Sequence, residues 1–478
     1  MANRKGKTIP YRVFGSKGSR KRASSGSGRT SASGHTSAAS AASASAHGHA
    51  PAVSASGQAS AAVSRRRPAG AGKGRSYSRG GTDYTLIFLV LVMLVFGLVM
   101  LYSTSAYESA LAYDGDGTTY LRSQLRNTLI GLAVMAAAAF FPLDLLSNWF
   151  LVMVVAYGGS AAMVTSLYWI GVEVNGAKRW LQVGGFQFQP AELSKLAVIL
   201  VTALWLSRLS GERLRKEDPV TGKKSLERMR RSGKPREALQ TWRGFFLVLT
   251  PALLQAVLIY FISNNLSSAI IVVLIAAAMM FVASPEWARY FVLAALVFAA
   301  VFLIVYYVVE IADSGDFRFE RIRAWQDPTA YADDTALQTL QGLYGIGSGG
   351  IFGKGLGQSI QKLGTIPEAQ NDMIFAIICE ELGLFGAFSI IVLYLIMAWR
   401  MVVIAANART LHESMIVVGV MSHIMIQVIL NIAVVTNTIP NTGVTLPFFS
   451  YGGSAVVILL AEIGLVLNVA RNSPPQPD

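Results

Sequence analysis

Apolar runs of about 20 residues recur from Tyr84 onward, and no other feature of the sequence restricts the fold as strongly. A helix of that length crosses a hydrocarbon core about 30 Å thick. The chain is 53% hydrophobic and 14% charged, whereas soluble proteins carry about 25% charged residues. The sequence therefore predicts an all-α polytopic membrane protein with a large extracytoplasmic loop between spans 7 and 8. The ten predicted spans are 84–106, 126–145, 149–170, 190–208, 245–263, 266–283, 288–309, 373–398, 413–434 and 454–470.

The net charge of +14 belongs to the segment before the first span. Residues 1–83 contain 15 of the 41 lysines and arginines and one of the 27 acids, which leaves 26 of each for the rest of the chain. The segment is rich in Ser, Ala and Gly and cannot bury enough apolar area to offset its ordering entropy. We predict a disordered cytoplasmic tail that contacts anionic membrane lipids, or else a solvated linker. We expect no nucleic-acid partner, because no aromatic or folded module accompanies the charge.

The distribution of Lys and Arg predicts the orientation. The segment from Arg208 to Arg243, with both ends counted, contains twelve basic and five acidic residues, so this loop is predicted to be cytoplasmic. The segment 471–478 is predicted to be a short cytoplasmic C-terminus. The large loop 310–371 contains eight acids and five bases and is predicted to be outside. Four polar clusters then lie at the outer face of the membrane.

The first polar cluster is NGAKRWLQVGGFQFQPAELSK, residues 175–195. Pro190 suits the first turn of a helix, and Glu192 and Lys195 are then three residues apart on one helical face, a favourable ion-pair spacing. A structural pair near the membrane interface and a functional pair are both open, since ionisable groups within a membrane are costly.

The second polar cluster is FRFERIRAWQDP, residues 317–328. Arg318, Arg321 and Arg323 lie close together beside Trp325. Arginine forks suit phosphate oxygens. The alternative is a solvated loop without a ligand.

The third polar cluster ends at Asp372, which is predicted to begin a span and follows Lys362 and Glu368. A carboxylate at such a boundary is half desolvated, which raises its pKa and makes it a better general base. The residue could also act as a helix cap, and the two roles are compatible. The GxGxxG pattern at 345–350 is a weak signal here, because no strand precedes it.

The fourth polar cluster, IPNTGVTLPFFSYGGSA at 439–455, crowds proline, glycine and hydroxyl groups at the entry to the last span. Irregular backbone at membrane depth is tolerated where it lines a cavity. The five histidines all fall outside the predicted outer loops, so a carboxylate must do any acid–base work there. A lone cysteine, Cys379, excludes an internal disulfide and a Cys-rich metal site and is predicted to be buried.

Several of these motifs, in order, resemble the SEDS family (shape, elongation, division, sporulation) over residues 84–470. They are NGAKRW, QPAELSK, GIGSGGIFGKGLGQSIQK, PEAQNDMIFAIICEELG and LPFFSYGGS. The Gln-Lys after GLGQSI is closer to the division member than to the elongation member. Two departures stand out: Gln370 and Asn371 replace the family's His-Thr, and Asn265–Ser268 replaces its Asp-Leu-Gly-Thr.

The resemblance implies polymerisation of lipid II into glycan strands at the outer face of the bacterial cytoplasmic membrane during cell division. It also implies a class B penicillin-binding protein as transpeptidase partner, together with other divisome proteins. The family's essential aspartate matches Asp372, and its Glu–Lys pair matches Glu192 and Lys195. The residues predicted to bind substrate are Lys178, Arg179, Trp180, Glu192, Lys195, Arg321, Arg323, Lys362, Glu368, Ser450, Gly452, Gly453 and Ser454.

No cofactor is identified from the sequence. A divalent cation would help to neutralise the pyrophosphate of the substrate, but no ligand set marks a metal site. Two other functions stay open. One is a lipid II transporter that uses ionisable groups within the membrane, for which Glu380, Glu381, His423 and Glu462 are candidates. The other is a scaffold that recruits a transpeptidase.

Overall fold

The computed structural model describes residues 81–174, 177–183, 186–210, 241–284, 287–307, 317–331 and 336–473. Three predicted regions therefore lie wholly or largely outside the described residues: the basic tail, the cytoplasmic loop after Arg208 and the end of the C-terminal segment. The helices in chain order are α1 (Tyr84–Ala112), α2 (Thr119–Phe140), α3 (Leu143–Leu146), α4 (Leu151–Ile170, π-helical over Leu151–Gly158), α5 (Pro190–Leu209), α6 (Trp242–Ser263), α7 (Leu266–Ala283), α8 (Trp287–Tyr306), α9 (Phe317–Gln326), α10 (Leu337–Gly349), α11 (Ile374–Ala406), α12 (Leu411–Val435) and α13 (Gly453–Asn472).

The all-α polytopic fold predicted from the apolar runs is confirmed. Within the described ranges, eight helices are long and apolar enough to cross a membrane: α1, α4, α5, α6, α7, α11, α12 and α13. The other two predicted spans correspond to α2 and α8, which are also helical. The count of ten spans stays a prediction.

Helix α2 packs closely against α13 although its first half is polar. A Cβ at Gly131 would lie 2.6 Å from Leu460, and one at Gly464 would lie 2.4 Å from the carbonyl oxygen of Met135. The Asn468 side chain also donates a hydrogen bond to the Ala138 carbonyl at 2.9 Å. Small residues and interhelical hydrogen bonds are the usual means of packing helices within a membrane.

An ion pair at one end of the bundle joins the start of α1 to the last turns of α11. Asp83 is the N-cap of α1 and accepts a hydrogen bond from the Leu86 amide at 3.0 Å. Its other carboxylate oxygen lies 2.7 Å from Nε of Arg400. Residues 83 and 400 therefore lie at the same end of the bundle, as the predicted orientation requires.

A small antiparallel sheet lies between α4 and α5, and it was not predicted. Its strands, in the order β1-β2-β3, are β1 (Val172–Val174), β2 (Ala177–Val183) and β3 (Phe186–Phe188). The amide of Gln189, which follows β3, donates to Oγ of Ser454 at 3.0 Å. The sheet thus connects the start of α5 to the start of α13.

Helix α11 is broken at Gly383, whose φ of 68° and ψ of −164° are not helical. The backbone groups around the break pair with the segment that follows α10. The Leu384 and Phe385 amides donate to the carbonyls of residues 350 and 351, and the carbonyls of residues 380 and 381 accept from the amides of residues 354 and 355, at 2.9–3.0 Å. Gly349 permits this approach, because a Cβ there would lie 1.9 Å from the Cys379 carbonyl oxygen. Cys379 itself is buried, as predicted.

The predicted outer loop 310–371 contains more regular structure than its polar composition suggested. Helices α9 and α10 both lie within it, and α10 packs along α11. Its glycine-rich part folds back to the break in α11 at Gly383, 11 residues after Asp372 in the sequence and about 16 Å away at 1.5 Å per residue. The loop therefore forms part of the bundle.

Candidate active site

Asp372 is partly buried just before α11, where three segments meet. Its Oδ1 accepts a hydrogen bond from Nε2 of Gln338 at 3.0 Å, and its main-chain carbonyl accepts one from Nδ2 of Asn431 at 2.8 Å. The N-cap of α11 is Met373, with no side-chain cap bond. The alternative of Asp372 as a helix cap is therefore wrong, and its carboxylate is oriented by a side chain instead.

Burial raises the pKa of the Asp372 carboxyl to about 6. The neighbouring carboxylate of Glu368 raises the pKa further. The backbone amide of Asp372 lowers it, as do the hydrogen bond from Gln338 and the charge of Arg321. A carboxylate with such a pKa is ionised near neutral pH and is still basic enough to accept a proton as a bond forms. Asp372 therefore has the electrostatics of a general base.

Arg321 supplies positive charge next to Asp372. It lies on α9, and its positive charge is close enough to the Asp372 carboxylate for each group to stabilise the charged form of the other. The orientation of α9 follows from a reciprocal contact: Nε1 of Trp325 donates to the Asn437 carbonyl at 3.0 Å, and the Asn437 side chain donates to the Trp325 carbonyl at 3.2 Å. Arg323 is half-buried on the same helix.

Arg179 on β2 also lies near Arg321. Its guanidinium donates to the carbonyls of Ser263 and Asn264, at 3.3 and 3.0 Å, where α6 ends. Burial lowers the pKa of Arg179, and the charge of Arg321 lowers it further. The two arginines thus lie near each other, and Arg321 also acts on Asp372. Two neighbouring guanidinium groups are suited to a pyrophosphate.

The remaining residues of the first cluster differ in exposure. Lys178 is exposed and lies opposite Glu173 in the sheet, and Trp180 is half-buried opposite Val172. Their predicted contact with substrate stays a prediction.

Glu368 and Asn371 form the turn that leads to Asp372. Glu368 has a φ of 50°, and its carboxylate accepts a hydrogen bond from Nδ2 of Asn371 at 2.8 Å. Gln370, which with Asn371 replaces the family's His-Thr, accepts a hydrogen bond at its carbonyl from the Tyr451 amide at 2.9 Å. The turn is thereby attached to the fourth polar cluster.

The predicted substrate residues of the fourth cluster fix the backbone of their own segment. Oγ of Ser450 accepts from the Leu446 amide at 2.7 Å, and Ser454 accepts from the residue before α5. The Gly452 amide donates to Oε1 of Gln124 at 3.2 Å, and Gly453 begins α13. Binding of substrate by these four residues stays a prediction.

The atypical Asn265–Ser268 segment has a structural role. Asn265 caps α7 by accepting a hydrogen bond from the Ser268 amide at 3.0 Å. The hydroxyl of Ser267 donates to the Thr442 carbonyl. The segment therefore supports the loop that leads to the fourth cluster, although it lacks the family's carboxylate.

The ion pair predicted from the spacing of Glu192 and Lys195 is present in the structure. Nζ of Lys195 lies 2.7 Å from Oε1 of Glu192, and the side chains are 1% and 9% exposed. The helix begins at Pro190, as predicted. The hydroxyl of Ser194, between the two, accepts a hydrogen bond from Nε2 of Gln255 at 2.7 Å. A role in substrate binding stays a prediction.

Lys362 forms an ion pair that was not predicted. Its Nζ lies 2.7 Å from Oε1 of Glu381 and donates to Oγ of Ser103 on α1 at 3.0 Å. A second pair joins Lys354 to Glu380 at 2.7 Å. The Lys354 side chain is 30% exposed and that of Lys362 only 8%. Of the two lysines, Lys354 is therefore the more accessible to an anionic ligand. In the sequence, only its position in the motif GKGLG could have marked Lys354 as a candidate for the site.

A metal centre built from protein ligands would need several carboxylate, imidazole or thiolate groups close together. Within the described ranges, no group of three His, Cys, Asp or Glu side chains is placed to bind an ion. A divalent cation carried by the pyrophosphate of the substrate stays a prediction.

Comparisons of the sequence with known proteins agree on one family. Residues 84–474 match the model of the FtsW/RodA/SpoVE family, whose description is "cell cycle protein". Stage V sporulation protein E of Bacillus subtilis is 34% identical over 399 residues, which cover 83% of this chain and 99% of that protein. The probable peptidoglycan glycosyltransferase FtsW of Bacillus subtilis is 32% identical over 391 residues, covering 81% and 90%.

Two solved structures have the same fold. One is a chain from a study of the structural coordination of polymerization and crosslinking by a peptidoglycan synthase complex. It is 25% identical with a TM-score of 0.61, and the match covers 82% of this chain and 98% of that one. The other is the rod shape determining protein RodA of Thermus thermophilus, 24% identical with a TM-score of 0.52, covering 82% and 98%.

Proposed function

This chain belongs to the FtsW/RodA/SpoVE family of cell cycle proteins, and from that membership we infer that it is an FtsW-like peptidoglycan glycosyltransferase. The reaction polymerises lipid II into glycan strands during cell division. The observation that carries this proposal is Asp372: a partly buried carboxylate outside the spans, with a pKa of about 6 and an arginine beside it.

The proposed reaction joins two lipid II molecules. The 4-hydroxyl oxygen of the acceptor's GlcNAc attacks C1 of the donor's MurNAc, and its proton passes to Asp372. The bond from C1 to the pyrophosphate oxygen breaks, and undecaprenyl pyrophosphate leaves. Arg321 and Arg179 are the cations placed to stabilise the charge that develops on the leaving group, since guanidinium groups suit phosphate oxygens.

The proposed partners follow from the relatives. One of the similar structures belongs to a complex that coordinates polymerization and crosslinking. We propose that this chain likewise works with a class B penicillin-binding protein as transpeptidase, alongside other divisome proteins.

A polymerisation assay tests the proposed function. The purified full-length protein, supplied with labelled lipid II alone, is expected to form long glycan strands, measured by gel separation of the products. A transporter would give no polymer but would move labelled lipid II across a vesicle membrane. A scaffold would do neither. Either of these results would overturn the glycosyltransferase assignment.

The contacts of the candidate transport residues favour the enzyme over the transporter. Glu380 and Glu381 each form an ion pair with a lysine at 2.7 Å, and Nδ1 of His423 lies 2.8 Å from Oε2 of Glu462. All four candidate transport residues therefore already have a charged or hydrogen-bonding partner within the protein.

We propose that the site faces the outside of the cytoplasmic membrane. Asp372 lies just before α11 and Arg400 lies near its other end, 28 residues away in the sequence. Helix α11 is long and apolar enough to cross a membrane. Arg400 lies beside Asp83, which follows the basic tail, and a basic flank favours the cytoplasm. Both termini are then cytoplasmic.

Cysteine labelling in intact cells tests this orientation. A membrane-impermeant reagent is expected to label Ser348→Cys, since Ser348 is exposed, and to leave Ser225→Cys in the predicted cytoplasmic loop unlabelled. The native Cys379 is buried and gives little background. Labelling of position 225 but not 348 would place the active site inside the cell and contradict the proposal.

A further inference from the structure

A chain of side-chain amides leads to the carboxylate of Asp372. Nδ2 of Asn441 donates to Oε1 of Gln338 at 3.0 Å. Nε2 of Gln338 then donates to Oδ1 of Asp372 at 3.0 Å and also lies 3.3 Å from the Pro367 carbonyl. This series of hydrogen bonds connects the first turn of α10, the turn before α11 and the loop before α13.

Backbone groups at both ends of this chain fix its direction. The Gly443 amide donates to Oδ1 of Asn441 at 3.2 Å, and a backbone N–H can only donate. The Pro367 carbonyl can only accept. Each side-chain amide therefore has one orientation that satisfies its neighbours, and in that orientation Gln338 presents an N–H group to Asp372. A flipped amide would bring an oxygen against the carboxylate.

The two oxygens of Asp372 are thereby made unequal. Oδ1 accepts the hydrogen bond of Gln338, while Oδ2 lies beside Gly443, where a Cβ would be 3.6 Å away. Gly443 is exposed and has a φ of 65°. Because residue 443 is a glycine, no side chain at this position stands against Oδ2, and a sugar hydroxyl would approach from this side.

We propose that Gln338, oriented by Asn441, is a positioning residue that directs Oδ2 of Asp372 toward the acceptor hydroxyl. This inference rests on the proposed function and adds to it the atom that takes the proton. The proton leaving the 4-hydroxyl goes to Oδ2, and Oδ1 accepts from Gln338 before and after the transfer. A hydrogen bond to the ionised carboxylate also lowers its pKa, in agreement with the effect of Gln338 on Asp372.

The pH dependence of the rate distinguishes positioning from a purely structural role. The base must be ionised, so the wild-type kcat is expected to fall as the pH drops through about 6. Gln338→Leu removes the donor to the ionised form, so the pKa rises and this acidic limb moves up by about one pH unit. We also expect kcat to fall at least tenfold, since about 1 Å of misplacement can cost 10²-fold. Asn441→Ala keeps Gln338 but removes the hydrogen bond that orients its amide. We expect this variant to move the acidic limb of the pH profile in the same direction, by a smaller amount.

The measurement is the initial rate of glycan formation by full-length purified variants between about pH 5 and pH 8. Gln341→Leu makes the same chemical change three residues further along α10 and is the control for damage to that helix. If Gln338→Leu does not fold, Asn441→Ala decides the question alone. A rate lowered by one constant factor at every pH, with the limb still near 6, would overturn the positioning role. Absence of polymer from the wild type would instead overturn the proposed function.

Discussion

Replacement of Asp372 by Asn is expected to abolish glycan polymerisation while leaving the fold intact. A sugar hydroxyl is a poor nucleophile near neutral pH, and general-base catalysis contributes typically about 10²–10⁴-fold. The amide has the same size, and its oxygen can still accept the hydrogen bond that Gln338 donates to Oδ1. The substitution thus removes basicity and little else. The measurement is polymer yield and length from lipid II, with lipid II binding and unfolding temperature recorded in parallel.

Asp327→Asn is the matched control for this experiment. Asp327 is an exposed carboxylate just after α9, and its Oδ1 accepts from the Thr329 and Ala330 amides at 3.2 Å. The same chemical change there should leave polymerisation unaltered. Wild-type yield from Asp372→Asn would exclude this residue as the base, and Glu368 would become the next candidate.

The second large effect is expected at the buried ion pair of α5. Lys195→Met leaves the carboxylate of Glu192 buried without its cation, 9% exposed. Removing one partner of a buried pair costs about 3–5 kcal/mol, because the remaining charge is uncompensated. We expect a marked fall in the unfolding temperature of the purified protein, or its loss from the membrane. An unfolding temperature equal to that of the wild type would contradict the prediction.

The double variant Glu192→Gln, Lys195→Met separates structure from substrate binding. It removes both charges. Replacing both members of a buried ion pair by uncharged residues often changes the free energy of unfolding little. We expect the unfolding temperature to recover. Polymerisation that recovers with it would assign the pair a structural role only. A stable but inactive double variant would support the predicted role of Glu192 and Lys195 in substrate binding.

The helical membrane fold and the family could be predicted from the sequence because their signals are local. Each span is a continuous apolar run, and the family motifs are short and ordered. The Glu192–Lys195 pair was predictable for the same reason, since both residues lie on one helical turn. Asp372 could be singled out as a carboxylate at a span boundary, but the assignment of catalytic and substrate-binding residues stays a prediction.

The features that the sequence did not predict depend on contacts between distant segments. The partner of Lys362 is 19 residues away in the next helix, and charge alone gave no reason to prefer Glu381 over a substrate phosphate. Asn441 is 103 residues from Gln338.

The sheet before α5 is a different case, because the sequence did contain a local signal for it. Asn-Gly and Gly-Gly dipeptides separate its strands in the sequence, and such pairs are typical of hairpin turns.

The break at Gly383 has a consequence for how the protein enters the membrane. A straight helix satisfies its own backbone and can be released into lipid before it meets other helices, whereas α11 obtains part of its hydrogen bonding from residues 350–355. Each backbone group left unpaired in hydrocarbon costs several kcal/mol. Insertion of α11 and its tertiary assembly therefore cannot be separate stages. The preceding glycine-rich segment must accompany the helix as it leaves the translocation machinery, which makes the two one unit of biogenesis.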